Sequence, residues 1–469
     1  MPKRPILLLV AGALLLAVSL ASVVGYILSR PPYAVRTEQP VLVTADHGAT
    51  SLIEAHNTPS LAVDPSDSRH LVLAEKIDRP RFGCAVHVST DGGTSWTTST
   101  VPLPAGQDTC YIPDVAFARN AVYLAYLTLN THPRDPLSGG NDPNGMYLAR
   151  STDGGLTFGA PLDLHGHDNL QPRIAVDNRS GRLYVAYVRG SPLQNDTPLG
   201  LGPAPNPIMV ISSTDGEHFT DPVQVSEPDR PRVAAPSPVV APNGDLFLLY
   251  EDYKNDLDDY NNKAIPYQGT FALVLAHSRD GGRTFEQQVV DDQQMRPHRF
   301  LIYTPPFPAL AVAPDGGHIY VAWSDGRNGA PDILLRSTGD GGKTWGAPTR
   351  LDRRVGGTAA NFELPALAAG PGDRVNAAFY AVAGGKNSVQ FTYSTDAGRH
   401  FQPPVAISSA FDPMVGPPSA RYLGAVDWGS RLALAVDARG DCLVAWADSS
   451  RGTPDTGRQD IVFTRVGLR

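Results

Sequence analysis

Residues 89–96 read STDGGTSW, and near copies return as STDGGLTF from Ser151, STDGEHF from Ser213, SRDGGRTF from Ser278, STGDGGKTW from Ser337 and STDAGRHF from Ser394. Their aspartates stand at 91, 153, 215, 280, 340 and 396, giving spacings of 62, 62, 65, 60 and 56 residues. That period exceeds a helical solenoid unit and suits one four-stranded propeller blade with its loops. The interior of each period repeats too. In the fifth, FPALAVAPDGG leads to HIYVAWSDGRNG, DILLRSTGDGGKTW and APTRL. Short apolar, β-branched and aromatic runs bounded by Gly, Pro, Asn and Asp are strand signals.

The motif falls between the third and fourth strands of each unit, which makes it a hairpin turn. Glycine supplies positive-φ positions, and the Asp and Ser side chains bond turn amides. The closing Trp or Phe then packs between neighbouring blades. Six equivalent aspartates, Asp91, Asp153, Asp215, Asp280, Asp340 and Asp396, read as a folding device, since one active site has no use for six copies. Pro59, Pro113, Pro172, Pro236, Pro308 and Pro365 open the first strand of their units, where a missing ladder donor is tolerated. Small apolar residues follow each of them, as a crowded inner strand requires.

A seventh unit, RLALAVDARG, DCLVAWADSS and DIVFTRV, lacks the motif and supplies three strands before the chain ends. Residues 41–44, VLVT, have no partner of their own, so they complete that blade and close the ring without exposed edges. The expected fold is all-β, a seven-bladed β-propeller over residues 41–469, with six blades as the alternative.

The 469-residue chain carries 39 basic and 47 acidic side chains, a net charge of −8. No Lys/Arg stripe is present, which argues against nucleic acid as a partner. With 42% hydrophobic and 18% charged residues, the composition is that of a globular protein. At the N-terminus, Lys3 and Arg4 precede an uncharged apolar run over residues 6–28. That run is long enough to cross a bilayer, and its positive flank sends the rest of the chain outward. Residues 1–29 are therefore expected to be a transmembrane signal anchor and residues 30–40 a short tether, with the propeller extracytoplasmic at the cell membrane. Cleavage near Ser19-Leu20-Ala21, giving a secreted protein, is the alternative. Export permits disulfides, and Cys84 and Cys110 flank the first hairpin and are expected to pair. Cys442, inside the apolar strand CLVAW, reads as a buried free thiol.

The pattern S-x-D-x-G-x-[TS]-[FW] resembles the Asp-box (BNR) repeat of the sialidase superfamily, over about residues 50–469. The resemblance implies a propeller acting on or binding glycans, although true sialidases have six blades and non-catalytic Asp-box receptors and assembly factors also exist. For activity it implies an arginine triad on the sugar carboxylate, which guanidinium pairing suits. It further implies a tyrosine nucleophile with a Glu base, and an Asp as acid/base. No segment reproduces the early Arg-Ile-Pro pattern cleanly; Arg79-Pro80-Arg81 and Gln171-Pro172-Arg173-Ile174 come nearest.

In a propeller, the loops entering each inner strand and leaving each second strand meet at one mouth, where ligands usually bind. Here those loops carry Glu54, His56, Asn57, Glu75, Lys76, Asp78, Asp108, Tyr111, Asp114, Arg173, Arg232, Glu251, Asp252, Tyr253, Asp325, Arg327, Asp448 and Arg451, among others. Tyr422, Glu363 and the Arg299/Tyr303 pair approach the mouth from adjacent late blades, beside Arg421. The catalytic set expected from the resemblance is Tyr422 as nucleophile, Glu363 as its base and Asp114 as acid, with Arg173, Arg299, Arg421 and Tyr303 binding substrate. Neighbouring Arg and Asp forming rim salt bridges is the plain structural alternative. The acidic insertion NDLDDYNN lacks the glycine and spacing of a calcium loop. His165-Gly166-His167 lacks further placed ligands, so no metal and no cofactor is expected. The expected ligand is a glycan, or another cell-surface ligand. The expected function is recognition of glycans with retaining exo-glycosidase action, or recognition alone by a non-catalytic scaffold.

Overall fold

A computed structural model describes residues 33–44, 54–79, 82–107, 109–119, 121–129, 145–191, 201–256, 269–296, 305–352, 360–416 and 428–469. Every regular element among them is a β-strand. No helix among the described residues is long and apolar enough to cross a membrane, and the expected anchor at 1–29 lies outside them. Two units separate. Residues 1–36 with 468–469 form one, within which Ala34 and Arg469 exchange backbone hydrogen bonds of 2.7 and 3.1 Å. Residues 37–467 form the other, the propeller.

The propeller has seven antiparallel sheets, which settles the count in favour of seven blades. Blade one runs Ala55–Val63, Leu71–Arg79, Gly83–Ser89 and Thr97–Ser99, from channel to rim. Blade two begins at Thr109–Ala118, blade three at Asn169–Asp177, blade four at Val233–Val240, blade five at Ala309–Val312, blade six at Ala360–Ala369 and blade seven at Ala433–Val436. These inner strands touch their neighbours all the way round, the seventh meeting the first. Val41–Leu42 pairs with Asp460–Leu468, placing Val41 opposite Phe463, and Val43 N donates to Ile461 O at 2.9 Å. The ring is thus closed by the segment expected to close it.

The repeated turn explains its own sequence. Ser89 Oγ donates to Asp91 Oδ1 (2.8 Å) and accepts from Gly93 N (2.8 Å), while Ser95 donates its N and Oγ to the same carboxylate at 2.9 and 2.6 Å. Asp153 and Asp280 repeat this geometry with Thr157 and Thr284. In the fifth copy the first donor is Thr338 rather than Ser337, so the motif starts one residue later than its serine suggests. Asp215 and Asp396 use His218 and His400 in place of the hydroxyl.

The glycines of these turns rest on the preceding blade. A Cβ on Gly93 (φ +96°) would lie 2.1 Å from the Phe463 ring of blade seven. Gly155 faces Val72 of blade one, Gly216 Tyr123 of blade two, Gly282 Tyr184 of blade three, Gly342 Leu275 of blade four and Gly398 Tyr320 of blade five. Trp96 adds an edge-on contact to Phe463 at 5.4 Å. Each motif therefore seals one joint, and six motifs seal six of the seven. The remaining joint, between blades six and seven, is fastened differently. Tyr380 donates to Ala447 O (3.1 Å) and accepts from Ala447 N (2.9 Å), and Arg374 donates to Gly440 O.

The prolines behave differently from expectation. Only Pro308 precedes its strand; the other five lie inside one, at a bulge that skips two residues of the ladder. The residue before each of these prolines is left-handed: Thr58, Ile112, Gln171, Ala235 and Leu364 have φ of 56°, 46°, 57°, 58° and 51°. A proline cannot donate to the ladder, so the strand breaks there and resumes. It resumes at Ser60, Asp114, Arg173, Ser237 and Ala366, with Ala309 and Ala433 at the same level in blades five and seven. This ring of seven positions surrounds the channel.

Candidate functional site

The channel ring is polar on one arc and alanine on the other. Asp114, in blade two, is buried at its centre. Its carboxylate accepts from Ser60 Oγ (2.5 Å), Ile174 N (2.9 Å) and Arg173 Nε (3.0 Å), with Arg431 Nη2 at 3.5 Å. Burial alone would raise the Asp114 pKa, but Arg173 and then Arg431 outweigh it and hold the group ionised. Arg431, from the approach to blade seven, also donates to Pro59 O (3.1 Å) and Pro113 O (2.6 Å), bracing blades one and two. Phe307 lies between the two guanidiniums, 5.0 Å from Arg173 and 6.0 Å from Arg431, and its N donates to Ser430 O at 3.0 Å. Beside them is a cavity of about 200 Å³ lined by six of the seven ring residues.

Blade one contributes a buried acid–base chain. Glu75 is fully buried and pairs through Oε1 with His56 Nδ1 (2.8 Å) and His87 Nε2 (3.5 Å), while His56 Nε2 reaches Glu54 at 3.1 Å. Burial would depress the His56 pKa, but Glu75 and Glu54 overcome it and raise it to about 10. Burial would likewise raise Glu75, yet His56 and His87 hold it low. The His56 imidazolium is thus clamped between two carboxylates. Beside it, Lys76 bonds Asp78 (2.8 Å), Asn57 Nδ2 donates to the same oxygen (2.8 Å), and Lys76 stands 5.0 Å over the Tyr111 ring. Cys84 and Cys110 form a disulfide here, 5.5 Å apart at Cα, joining blades one and two.

Blade four contributes a third group. Glu251 lies at the end of the second strand, Leu246–Asp252, and Tyr253 directly follows it. Glu251 forms an ion pair with Arg296, accepts from Gln294 Nε2 at 3.1 Å and acts electrostatically on the Tyr253 side chain. Arg232 donates through Nη1 to Gly202 O (2.7 Å) and Asn206 Oδ1 (2.9 Å) and acts on Tyr253 electrostatically, as Arg296 does. All four side chains are buried. Burial raises Glu251 against the pull of Arg296, which makes it a stronger base when ionised. It also raises Tyr253 well above the ordinary phenol range.

Other mouth acids are structural. Asp252, Asp325 and Asp448 each cap the turn after a second strand, accepting from the N of Lys254 (2.8 Å), Arg327 (2.8 Å) and Ser450 (2.7 Å). Asp325 and Asp448 also accept from Trp323 and Trp446 two residues earlier. Among the described residues, no group of three or more His, Cys, Asp or Glu is arranged to hold a metal ion.

Of the residues singled out in the sequence, Asp114 and Arg173 are brought into direct contact. Glu363 lies on the inner strand of blade six, opposite Tyr380 and before the bulge, half-buried and apart from that pair. Tyr422, Arg421, Arg299 and Tyr303 lie outside the described residues. Sequence reasoning missed Arg431, Arg296 and His87 as partners. The i, i+2 spacing of Glu251 and Tyr253 was the available signal for the blade-four group.

Fold and site together define an all-β, seven-bladed propeller with charged clusters around its channel mouth. No family profile matches the chain, and no curated protein does. Among solved structures it is similar to a protein of unknown function from Dyadobacter fermentans DSM 18053. That protein is 14% identical, with a TM-score of 0.52 over 94% of this chain and 100% of that one. A phage phi92 endosialidase is 10% identical, with a TM-score of 0.48 over 92% of this chain and 69% of that one. The Hadza microbial sialidase Hz136 is 15% identical, with a TM-score of 0.45 over 86% and 74%. At 14% identity the first of these likenesses speaks for the fold alone.

Proposed function

We propose that this chain is an extracytoplasmic, sialidase-like Asp-box propeller, held at the cell membrane by its N-terminal apolar segment. It binds acidic glycans at its mouth and hydrolyses them with retention. The observation that carries this reading is the Glu251–Tyr253 pair with Arg296 and Arg232 around it. A tyrosine nucleophile needs a base within hydrogen-bond reach, and an acidic sugar needs guanidinium partners. Glu251 takes the Tyr253 proton as the phenol oxygen displaces the aglycone from the anomeric carbon, the departing oxygen taking a proton from water; water then cleaves the glycosyl–tyrosine bond and Glu251 returns the proton to the phenol, while Arg296 with Arg232 favours the anionic states. Tyr422 with Glu363 is the competing nucleophile–base assignment, with Asp114 as acid and Arg173, Arg299, Arg421 and Tyr303 on the substrate.

A second reading, a non-catalytic propeller that binds a glycan or a protein partner, has its own support. Tyr253 is 1% exposed and Glu251 fully buried, so neither presents a reactive atom to solvent. The test is hydrolysis of fluorogenic sialosides and a broader glycoside panel by the full chain. Tyr253→Phe, Glu251→Gln, Tyr422→Phe and Glu363→Ala run beside wild type. Loss of turnover in the first two alone establishes the blade-four site, and loss in the last two alone moves the site to the late blades. A folded wild type with no turnover leaves the binding reading.

A further inference from the structure

The channel holds more positive charge than it can pair. Among the described residues its cavity is lined by two cations, Arg173 and Arg431, and by no carboxylate. Among the same residues the acid bonded to both is Asp114 behind the wall, so two guanidiniums share one carboxylate, an excess of one positive charge. Among the described residues no other acid acts on Arg431, whose pKa is pushed down to about 9 by burial and then by Arg173, so it stays charged near neutral pH.

Hydrogen bonding tells the same story. Arg431 is 6% exposed; its Nε and Nη2 are bonded to Pro59 O and Pro113 O, but Nη1 is buried with no partner among the described residues. Arg173 commits only its Nε, to Asp114. Ser60 and Ser237, the two hydroxyls of the cavity, already donate to Asp114 and to Pro308 O. The unmet demand is therefore for an acceptor carrying negative charge. A buried guanidinium left uncompensated costs several kcal/mol, so a site of this kind strongly favours a counter-ion. A cavity of about 200 Å³ has ample room for a small ion and its waters.

We propose that the channel cavity is a binding site for a small monoanion such as a halide or formate, held by the combined positive charge of Arg173 and Arg431. The ion neutralises the excess charge and ties the approach to blade seven to blades one, two and three, which Arg431, Asp114 and Arg173 already link. The site is distinct from the blade-four cluster and stands whether or not Tyr253 acts on glycans.

The test is the thermal midpoint of the full chain, titrated separately with bromide and with formate. A parallel gluconate titration at the same ionic strength gives the general salt effect. Ligand binding to the folded state alone raises stability with the logarithm of occupancy, so a saturable rise of about 3 °C is expected at a hundredfold excess over Kd. Response to one ion and not the other identifies the anion class. Arg431→Met removes the unpaired donor and abolishes the rise. Bromide-grown crystals of the wild type, which do not depend on the variant folding, carry an anomalous peak in the cavity near Arg173 and Arg431. No saturable rise with either ion, an unchanged rise in Arg431→Met, or a cavity without a bromide peak each overturns the assignment.

Discussion

Gly93→Ala tests the claim that the repeated turn seals one blade to the next. The new Cβ would stand 2.1 Å from Phe463 Cε1 and 2.7 Å from Cδ1 and Cζ, at a φ of +96°. Left-handed backbone costs a non-glycine residue about 1–2 kcal/mol, and forcing a well-packed ring aside costs about 1–3 kcal/mol more. The expected loss is their sum, about 2–5 kcal/mol. Gly341→Ala is the internal control. It sits in the fifth copy at φ +74° with nothing within 4 Å of its Cβ, so it bears only the backbone cost, about 1–2 kcal/mol. A propeller of about 430 residues unfolds with an entropy near 0.9 kcal/mol/K, so the two variants melt about 2–6 °C and about 1–2 °C below wild type. Differential scanning calorimetry of both at one scan rate separates them. If Gly93→Ala melts no lower than Gly341→Ala, the turn is a local device and does not hold the ring together.

Asp91 and Asp153 are lowered to about 2, chiefly by the hydroxyls of Ser95 and Thr157. A depressed acid stabilises the fold above its unfolded pKa, near 3.8, and that contribution disappears as pH falls toward 2. Asp91→Asn should flatten this acid limb in urea titrations, and an unchanged limb refutes the assignment. His56 works in the opposite sense: raised to about 10, it stabilises fully below pH 6.5 and progressively less up to pH 10. His56→Gln should therefore remove part of the alkaline fall in stability; a variant with the wild-type slope would show that the clamp carries none of it. The Cys84–Cys110 bridge closes a separation of 26 residues, for which chain entropy gives about 3.5 kcal/mol. The paired Ser substitutions should melt roughly 4 °C lower by calorimetry, and equal midpoints would place the constraint elsewhere.

Blade number was legible because the turn chemistry leaves little freedom. A serine or threonine, an aspartate two residues on and a glycine soon after it are what this hairpin needs, so each copy announces a third and a fourth strand. The fifth copy shows the limit: Ser337 matches the pattern, but Thr338 is the residue facing Asp340. The prolines were visible, yet the same missing donor is compatible with a strand start or a bulge, and only the register of the partner strand decides between them. The charged clusters were legible as residue types and not as partnerships. Arg431 looks like the first residue of the strand RLALAV, and nothing local says that its guanidinium reaches Pro59 and Pro113, more than 300 residues away. Arg296 is 45 residues from Glu251, a pairing set by the loops of blade four.

The odd joint between blades six and seven has a mechanical meaning. A hoop with six like clasps and one different clasp has a distinguishable seam, and here the seam depends on Tyr380 gripping the main chain at Ala447. The turn clasps lie out at the rim, whereas Tyr380 and Ala447 are buried in the wall. Removing one phenol oxygen exposes a backbone N–H and C=O inside the wall at a stroke, and converts a washer into a split washer.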